Sequence, residues 1–373
     1  MLCLLRPLLR GNFHEMAIAS NRPRLFVLSD PRGLADWRAF SQSESAPLDA
    51  GRLAGQWRDW LSIQPDNLGR ELTDEQVEAA FTVRKAATET GRYGTVAWYP
   101  WRRRGILLLE EAEFTAVRTN RNQLKIRPEE QEQLAGKAVG IVGLSVGRTI
   151  ALALAMERIV GTLHIADADE IELSNLNRMS CSLFELGMPK WMSAARAIAE
   201  IDPYLEVKVW PQGFRREDIA DFLDGVDLVV DACDGPEAKA LLRLGARDRR
   251  IPLIMETNDR GLLDVERYDL EETKDFLHGR VTAEHLTELA QGGTWTREWL
   301  DAFVDLSSIS PRAADSLAEV GRTLAGWPQL HSDVALGAGA AAAIIRRLLL
   351  GEAIADQRLR FDLHEQLSVA HTA

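Results

Sequence analysis

Gly143-Leu144-Ser145-Val146-Gly147 comes directly after the apolar run Ala138 to Val142, and Asp167 ends a second apolar run about two dozen residues later. A glycine bend between a buried strand and a helix turns backbone N–H groups and the positive helix end toward phosphate. An acid at the end of the next strand stands where ribose hydroxyls are held. Gly143, Ser145, Gly147 and Asp167 are therefore candidate nucleotide-binding residues. These signals alone fit a dehydrogenase equally well. The charged residues downstream of Asp167 do not. Ser174-Asn175-Leu176-Asn177-Arg178 comes first, then Gly187-Met188-Pro189-Lys190, then Asp231-Ala232-Cys233-Asp234 at the end of another apolar run. Hydride transfer has no use for an arginine, a lysine and a further strand-end acid around cofactor phosphates, whereas phosphoryl-transfer chemistry does.

The elements that must hold these residues alternate. From Arg118 onward apolar runs exchange with helical stretches, which implies βαβ units and a mainly parallel sheet with helices on both faces. The pattern predicts strands at Val139–Val142, Leu163–Ala166, Leu205–Trp210, Val226–Val230 and Leu253–Met255, and helices at Arg148–Met156, Met192–Ile201, Arg216–Leu223 and Glu237–Arg247. Beyond Asp269 the pattern turns helical and charged as far as Val334. The small-residue run Val334 to Ala343 suits close helix packing or a subunit interface, with Gly337 and Ala341 four apart on one face. Before Arg118 a strand is expected at Arg24–Asp30, a helix opening on the capping pattern Thr73-Asp74-Glu75-Gln76, and a hairpin from Thr95 to Glu110 around Arg102-Arg103-Arg104-Gly105. Trp98, Trp101 and the three arginines read as a hairpin with a solvated tip, or as a patch for an acidic partner.

With 373 residues and 46% hydrophobic content the chain has ample material for a packed core. A net charge of −12 argues against a general nucleic-acid binder, so any anion site must be built locally. Cys3, Cys181 and Cys233 are too few and too scattered for a disulfide framework or paired zinc ligands, which fits a reduced cytoplasm. The apolar start Met1 to Arg10 is broken by Arg6 and Pro7, and Met16 is an alternative start. Val334 to Ile345 is about half a membrane span and runs into Arg346-Arg347, so no membrane segment is expected.

The chain resembles the ThiF/MoeB and ubiquitin-activating-enzyme superfamily of adenylating enzymes. The resemblance is carried by Arg118-Thr119-Asn120-Arg121-Asn122, the glycine bend, Asp167, the run Ser174 to Arg178, Lys190, Ile201-Asp202-Pro203 and Asp234. It spans about Arg118 to Asp269 and resumes around Val334 to Gly351. It implies a Rossmann-like α/β domain over 116–373, with a helical insertion at about 271–330, behind an N-terminal α+β extension over 1–115. It further implies that Asp167 holds the ribose, that Asn175, Arg178 and Lys190 hold ATP phosphates, and that Asp234 is the Mg²⁺ ligand. Arg121 would reach the site of a neighbouring subunit in a homodimer. The implied reaction is adenylation of a substrate carboxylate, such as the C-terminus of a ubiquitin-like protein or peptide, with release of pyrophosphate. Such a carboxylate has a pKa near ~4 and needs no general base.

Departures from the family pattern are Ser145 and Arg148 at fingerprint-glycine positions, Met179 where glutamine is usual and Gly235 where asparagine is usual. A side chain at Ser145 restricts the approach of backbone to phosphate. Arg148 either points its charge at the nucleotide or closes the pocket. Zinc-binding cysteine pairs are missing, and Glu256-Thr257-Asn258-Asp259-Arg260-Gly261 stands where thioester-forming relatives carry a cysteine. That makes a covalent transfer step unexpected and puts Asp259 and Arg260 near the substrate. Cys233 reads as core and Cys181 as a loop thiol. The extension and Gly326-Trp327-Pro328-Gln329 look like a bacterial subgroup that can be fused to a nitroreductase-like flavin domain. This chain is expected to stop short of such a domain, with a separate flavoprotein as candidate partner. Two alternatives stand beside this reading: an NAD(P)-dependent oxidoreductase, and a nucleotide-binding scaffold without turnover.

Overall fold

The computed structural model describes residues 20–257, 259–270, 275–362 and 367. The apolar start, Cys3, Met16 and Asn258 lie outside the described residues. The chain forms two compact units, one of residues up to 128 together with 199–204, the other of 129–198 with 205 onward.

The first unit is built on a four-stranded sheet of β1 (Arg24–Val27), β2 (Leu48–Asp49), β3 (Thr95–Tyr99) and β4 (Arg104–Leu108), in the order β1-β3-β4-β2. β3 is buried along its whole length, as expected of a run rich in β-branched and aromatic residues at a sheet centre. Its Trp98 packs with Phe26 and Trp37. The expected hairpin is present. β3 and β4 pair antiparallel across a short turn at Pro100–Arg102, with Arg103 in the left-handed region at φ 47°. The helix Asp74–Ala86 starts at a complete capping box between Thr73 and Gln76. Two of the three tip arginines are committed within this unit: Arg102, with Trp101, bonds Glu200, and Arg104 lies 3.2 Å from Asp49. Arg118 Nη1 donates to Asp202 Oδ2 at 2.9 Å, joining two of the sequence motifs.

The second unit is α/β and Rossmann-like. Its seven strands are β5 (Ala138–Val142), β6 (Thr162–Ala166), β7 (Glu206–Trp210), β8 (Leu228–Asp231), β9 (Leu253–Thr257), β10 (Leu262–Glu266) and β11 (Gln357–Arg360). Their spatial order is β11-β10-β9-β8-β5-β6-β7, with β9 through β7 parallel. β10 and β11 are antiparallel additions at one edge, which sequence periodicity did not reveal. The chain moves outward from β5 to β6 and β7, then returns to place β8 on the other side of β5. That reversal opens a crevice beyond the carboxyl ends of the strands, where open α/β sheets bind ligands. Helices cover both faces. Gly147–Glu157 and His331–Leu349 pack on each other and the latter on β9, while Pro236–Asp248 packs on β8 from the opposite side. The expected helix at Arg216–Leu223 is a short 3-10 turn and then one α turn, Ile219–Phe222. Three short helices, Ala283–Leu289, Arg297–Val304 and Pro311–Leu317, precede the long helix His331–Leu349. Among the described residues no helix is long and apolar enough to cross a membrane.

Candidate active site

β5 ends at Val142 and the chain bends at Gly143, whose φ of +89° suits glycine. A Cβ there would sit 2.3 Å from the Ala232 carbonyl, so the bend presses against the backbone leaving β8, two residues before Asp234. Gly147 opens the next helix, where a side chain would meet Ile141. That helix begins without a side-chain cap, and Thr149 N bonds back to the Val146 carbonyl at 2.9 Å, which leaves the Gly147 and Arg148 amides to face an anion.

Asp167, at the end of β6, is buried and accepts two backbone hydrogen bonds, from Leu144 N at 2.6 Å and Asp169 N at 2.8 Å. Burial raises its pKa, while Lys190 and the two amides oppose that rise. A carboxylate so clamped keeps lone pairs for hydroxyl donors. Lys190 starts the helix Lys190–Ile201, is itself buried, and donates to Asp169 Oδ2 at 2.8 Å.

Arg178 closes the 3-10 turn Leu173–Asn177. Its Nε donates to Ser145 Oγ at 3.2 Å and its Nη1 to the Ser174 carbonyl and Asn177 Oδ1. Ser145, the residue in place of a fingerprint glycine, thus tethers the arginine to the bend. The Arg178 Nη2 group has no protein partner among the described residues and is free to meet an anion. Asn175 is buried, and its Oδ1 accepts from Glu172 N at 3.0 Å, so its visible work is to hold the turn that presents Arg178.

Arg148 resolves differently from either expectation. Its guanidinium is buried and Nη1 donates to the Ser180 carbonyl at 2.6 Å, tying the loop after Arg178 back onto the helix. Burial lowers its pKa. Cys181, on that loop, is half-buried and burial raises its thiol pKa. Met179 is buried.

Asp234 is exposed just past β8, and its backbone carbonyl accepts from Trp295 Nε1 at 3.0 Å. Among the described residues no three His, Cys, Asp or Glu side chains gather as a metal cluster. A magnesium ion held by one carboxylate and the phosphates of a bound nucleotide needs no such cluster, so the donor set here fits that mode. Arg121 is exposed on the turn Asn120–Asn122 of the first unit.

Beneath Asp234 lies a charge network that sequence reading missed. Asp231 is fully buried and bonded by Lys239 Nζ at 2.9 Å and Arg243 Nη1 at 2.6 Å. Burial alone would raise its pKa, but Lys239 and Arg243 override this and hold it at about 2. Arg243 also donates to Glu266 Oε1, and Glu266 accepts from Tyr268 Oη and Leu277 N. The four-residue spacing of Lys239 and Arg243 on one helix face was the available signal. Cys233, half-buried, lies 3.3 Å from Asp231 Oδ1, and burial pushes its thiol pKa well up.

Residues 119–258 match the ThiF family. This chain carries a ThiF-family domain. It is 44% identical over 274 residues to the uncharacterized protein MT1398 of Mycobacterium tuberculosis, covering 73% of this chain and 38% of that protein. It is 32% identical to the tRNA threonylcarbamoyladenosine dehydratase of Bacillus subtilis, over 40% of this chain and 60% of the relative. It is also 32% identical to a molybdopterin-synthase adenylyltransferase of Haemophilus influenzae, over 33% and 51%. The chain therefore spans less than two thirds of the length of these relatives. A solved structure of the E. coli tRNA N6-threonylcarbamoyladenosine dehydratase with ATP is similar at 18% identity and a TM-score of 0.47, covering 65% of this chain and 96% of that one. Homologues of the ThiF-family domain thus include named adenylyltransferases.

Proposed function

We propose that the ThiF-family domain binds ATP with Mg²⁺ and adenylates a substrate carboxylate. The observation that carries this reading is the hydrogen bond from Arg178 to Ser145 Oγ, which holds a guanidinium with a free Nη2 at the glycine bend. The carboxylate oxygen attacks the α-phosphorus, an O–P bond forms, and the bond to the β-phosphate oxygen breaks to release pyrophosphate. The attacking group is already ionised, so the obstacle is bringing an anion against a polyanion. Arg178, Lys190 and the amides at the start of the helix Gly147–Glu157 lower that obstacle by position and charge. Asp167 accepts from the ribose. Asn175 acts by presenting Arg178 and by lying at the phosphate edge. Asp234 is the magnesium ligand, and the ion would neutralise charge on the phosphates. Arg121 is assigned to complete the site across a homodimer.

The substrate class we favour is the C-terminus of a small protein or peptide, with the protein working in the cytoplasm. A nicotinamide site would leave Arg178, Lys190 and Asp234 without roles, which disfavours that reading. ATP–pyrophosphate exchange in the presence of Mg²⁺ and candidate carboxylate substrates tests the reaction. Asp234→Ala should abolish exchange and leave the thermal melt unchanged, because the side chain is exposed and makes no hydrogen bond among the described residues. Undiminished exchange in that variant would remove Asp234 from the site.

A further inference from the structure

Two of the short helices, Ala283–Leu289 and Arg297–Val304, are anchored beside the carboxyl end of β8. The first packs on the helix Pro236–Asp248. The second buries Phe303 against the two cations that hold Asp231, with the ring centre 5.5 Å from Lys239 Nζ and 4.7 Å from Arg243 Cζ. Arg216 Nη2 fixes the end of the first helix by donating to the Ala290 carbonyl at 2.6 Å, and Thr296 Oγ1 caps the start of the second by accepting from Trp299 N at 3.3 Å. The connection between them is thus pinned at both ends, and it carries Trp295. The indole stands edge-on to Phe303, centres 5.4 Å apart at 89°, and its Nε1 donates to the Asp234 carbonyl at 3.0 Å.

That bond lands at the one place where the segment leaving β8 lacks other support. Ala232 N donates to the Val142 carbonyl at 2.9 Å, Cys233 N to Asp231 Oδ1 at 3.4 Å, and Lys239 N to the Gly235 carbonyl at 3.1 Å. Asp234 lies between these bonds, exposed, and among the described residues only Trp295 bonds it. Fixing a carbonyl fixes the plane of its peptide and with it the backbone torsion that aims the side chain. Gly235 follows and restrains that peptide little from the other side. Magnesium demands near-ideal ligand geometry, and a group that orients a ligand strengthens metal binding without touching the ion.

We propose that Trp295 is a positioning residue, whose bond to the Asp234 carbonyl holds the Asp234 carboxylate where a nucleotide-bound Mg²⁺ meets it. The two short helices are then part of the support of the metal site. This assignment rests on the reading of Asp234 as the magnesium ligand, and the variants below separate the two.

Calorimetric titration of the full chain with ATP, in EDTA and in excess Mg²⁺, gives the factor by which the ion tightens nucleotide binding. W295F keeps the aromatic contact with Phe303 and loses only the N–H. Its affinity for ATP in EDTA should equal that of the wild type, while the magnesium factor falls about three- to tenfold. Pyrophosphate exchange should split the same way, with a higher Mg²⁺ requirement and an undiminished rate at saturating Mg²⁺. W299F, which alters a neighbouring tryptophan with no bond to Asp234 among the described residues, should match the wild type in both measurements. D234A should lose the magnesium factor altogether. A W295F factor within about twofold of the wild type, beside a D234A variant that has lost it, would overturn the role of Trp295 alone. Equal losses in W295F and W299F, or weaker ATP binding in EDTA, would overturn it too, since both mark a general loosening. A factor that survives in D234A, or is missing from the wild type, would sink the reading of Asp234 and the role of Trp295 with it.

Discussion

Two buried acids on neighbouring strands meet opposite fates. β8 and β9 are paired in register with Asp231 beside Met255, so Asp231 faces the helix Pro236–Asp248 and Glu256, one residue on, faces the other side of the sheet. Asp231 is met by Lys239 and Arg243 and stays ionised, with a pKa of about 2. Glu256 is buried against the helix His331–Leu349, both of its oxygens lack partners among the described residues, and burial, with the charge of Asp333 adding to it, pushes its pKa up to about 8. Equal burial therefore produces a charge on one face and a neutral acid on the other. What differs is whether a cation arrives from elsewhere in the chain.

The largest effect should come from removing that cation. Arg243→Met leaves Asp231 and Glu266 buried with part of their compensation gone, and should cost about 3–5 kcal/mol in urea unfolding. A loss below about 1 kcal/mol would mean that the network does not decide the difference between the faces. On the other face the effect depends on pH. The unfolded glutamate releases its proton near ~4.3 while the folded one keeps it to about 8, so Glu256 costs stability progressively as pH rises through that window and no further above it. Glu256→Gln should gain about 4 kcal/mol relative to wild type between pH 4 and pH 8, read from melts across that range. A pH-independent difference would show that Glu256 finds a partner. The smallest effect concerns space. A Cβ at Gly337 would stand 2.0 Å from Glu256 Oε1, so Gly337→Ala should cost about 1–3 kcal/mol and be rescued by Glu256→Ala in the double variant.

The same contrast explains which elements were legible in the sequence. Val139–Val142, Leu163–Ala166 and Leu253–Met255 are strands in the structure to within two residues at each end, because each is a short apolar run closed by a turn or an acid. The capping box at Thr73 and the glycine bend at Gly143 were equally visible, since both are local backbone requirements. The strand Leu262–Glu266 was not. It buries Asp264 and Glu266, which argues against a core strand until their partners are seen, and those partners are Arg358 and Arg243.

The small residues of Val334 to Ala343 left open a helix contact or a subunit interface. In the structure Gly337 makes room for a carboxylate from β9. Sequence alone therefore determined the strand and helix alphabet, the glycine bend and the order of the charged residues that follow it, because each depends on residues close together in the chain. Only the tertiary structure decided that Arg148 is a strut, that Ser145 tethers Arg178, and that Asp231 is charged where Glu256 is not. Those outcomes depend on which side chain crosses from a distant element into a place that water cannot reach.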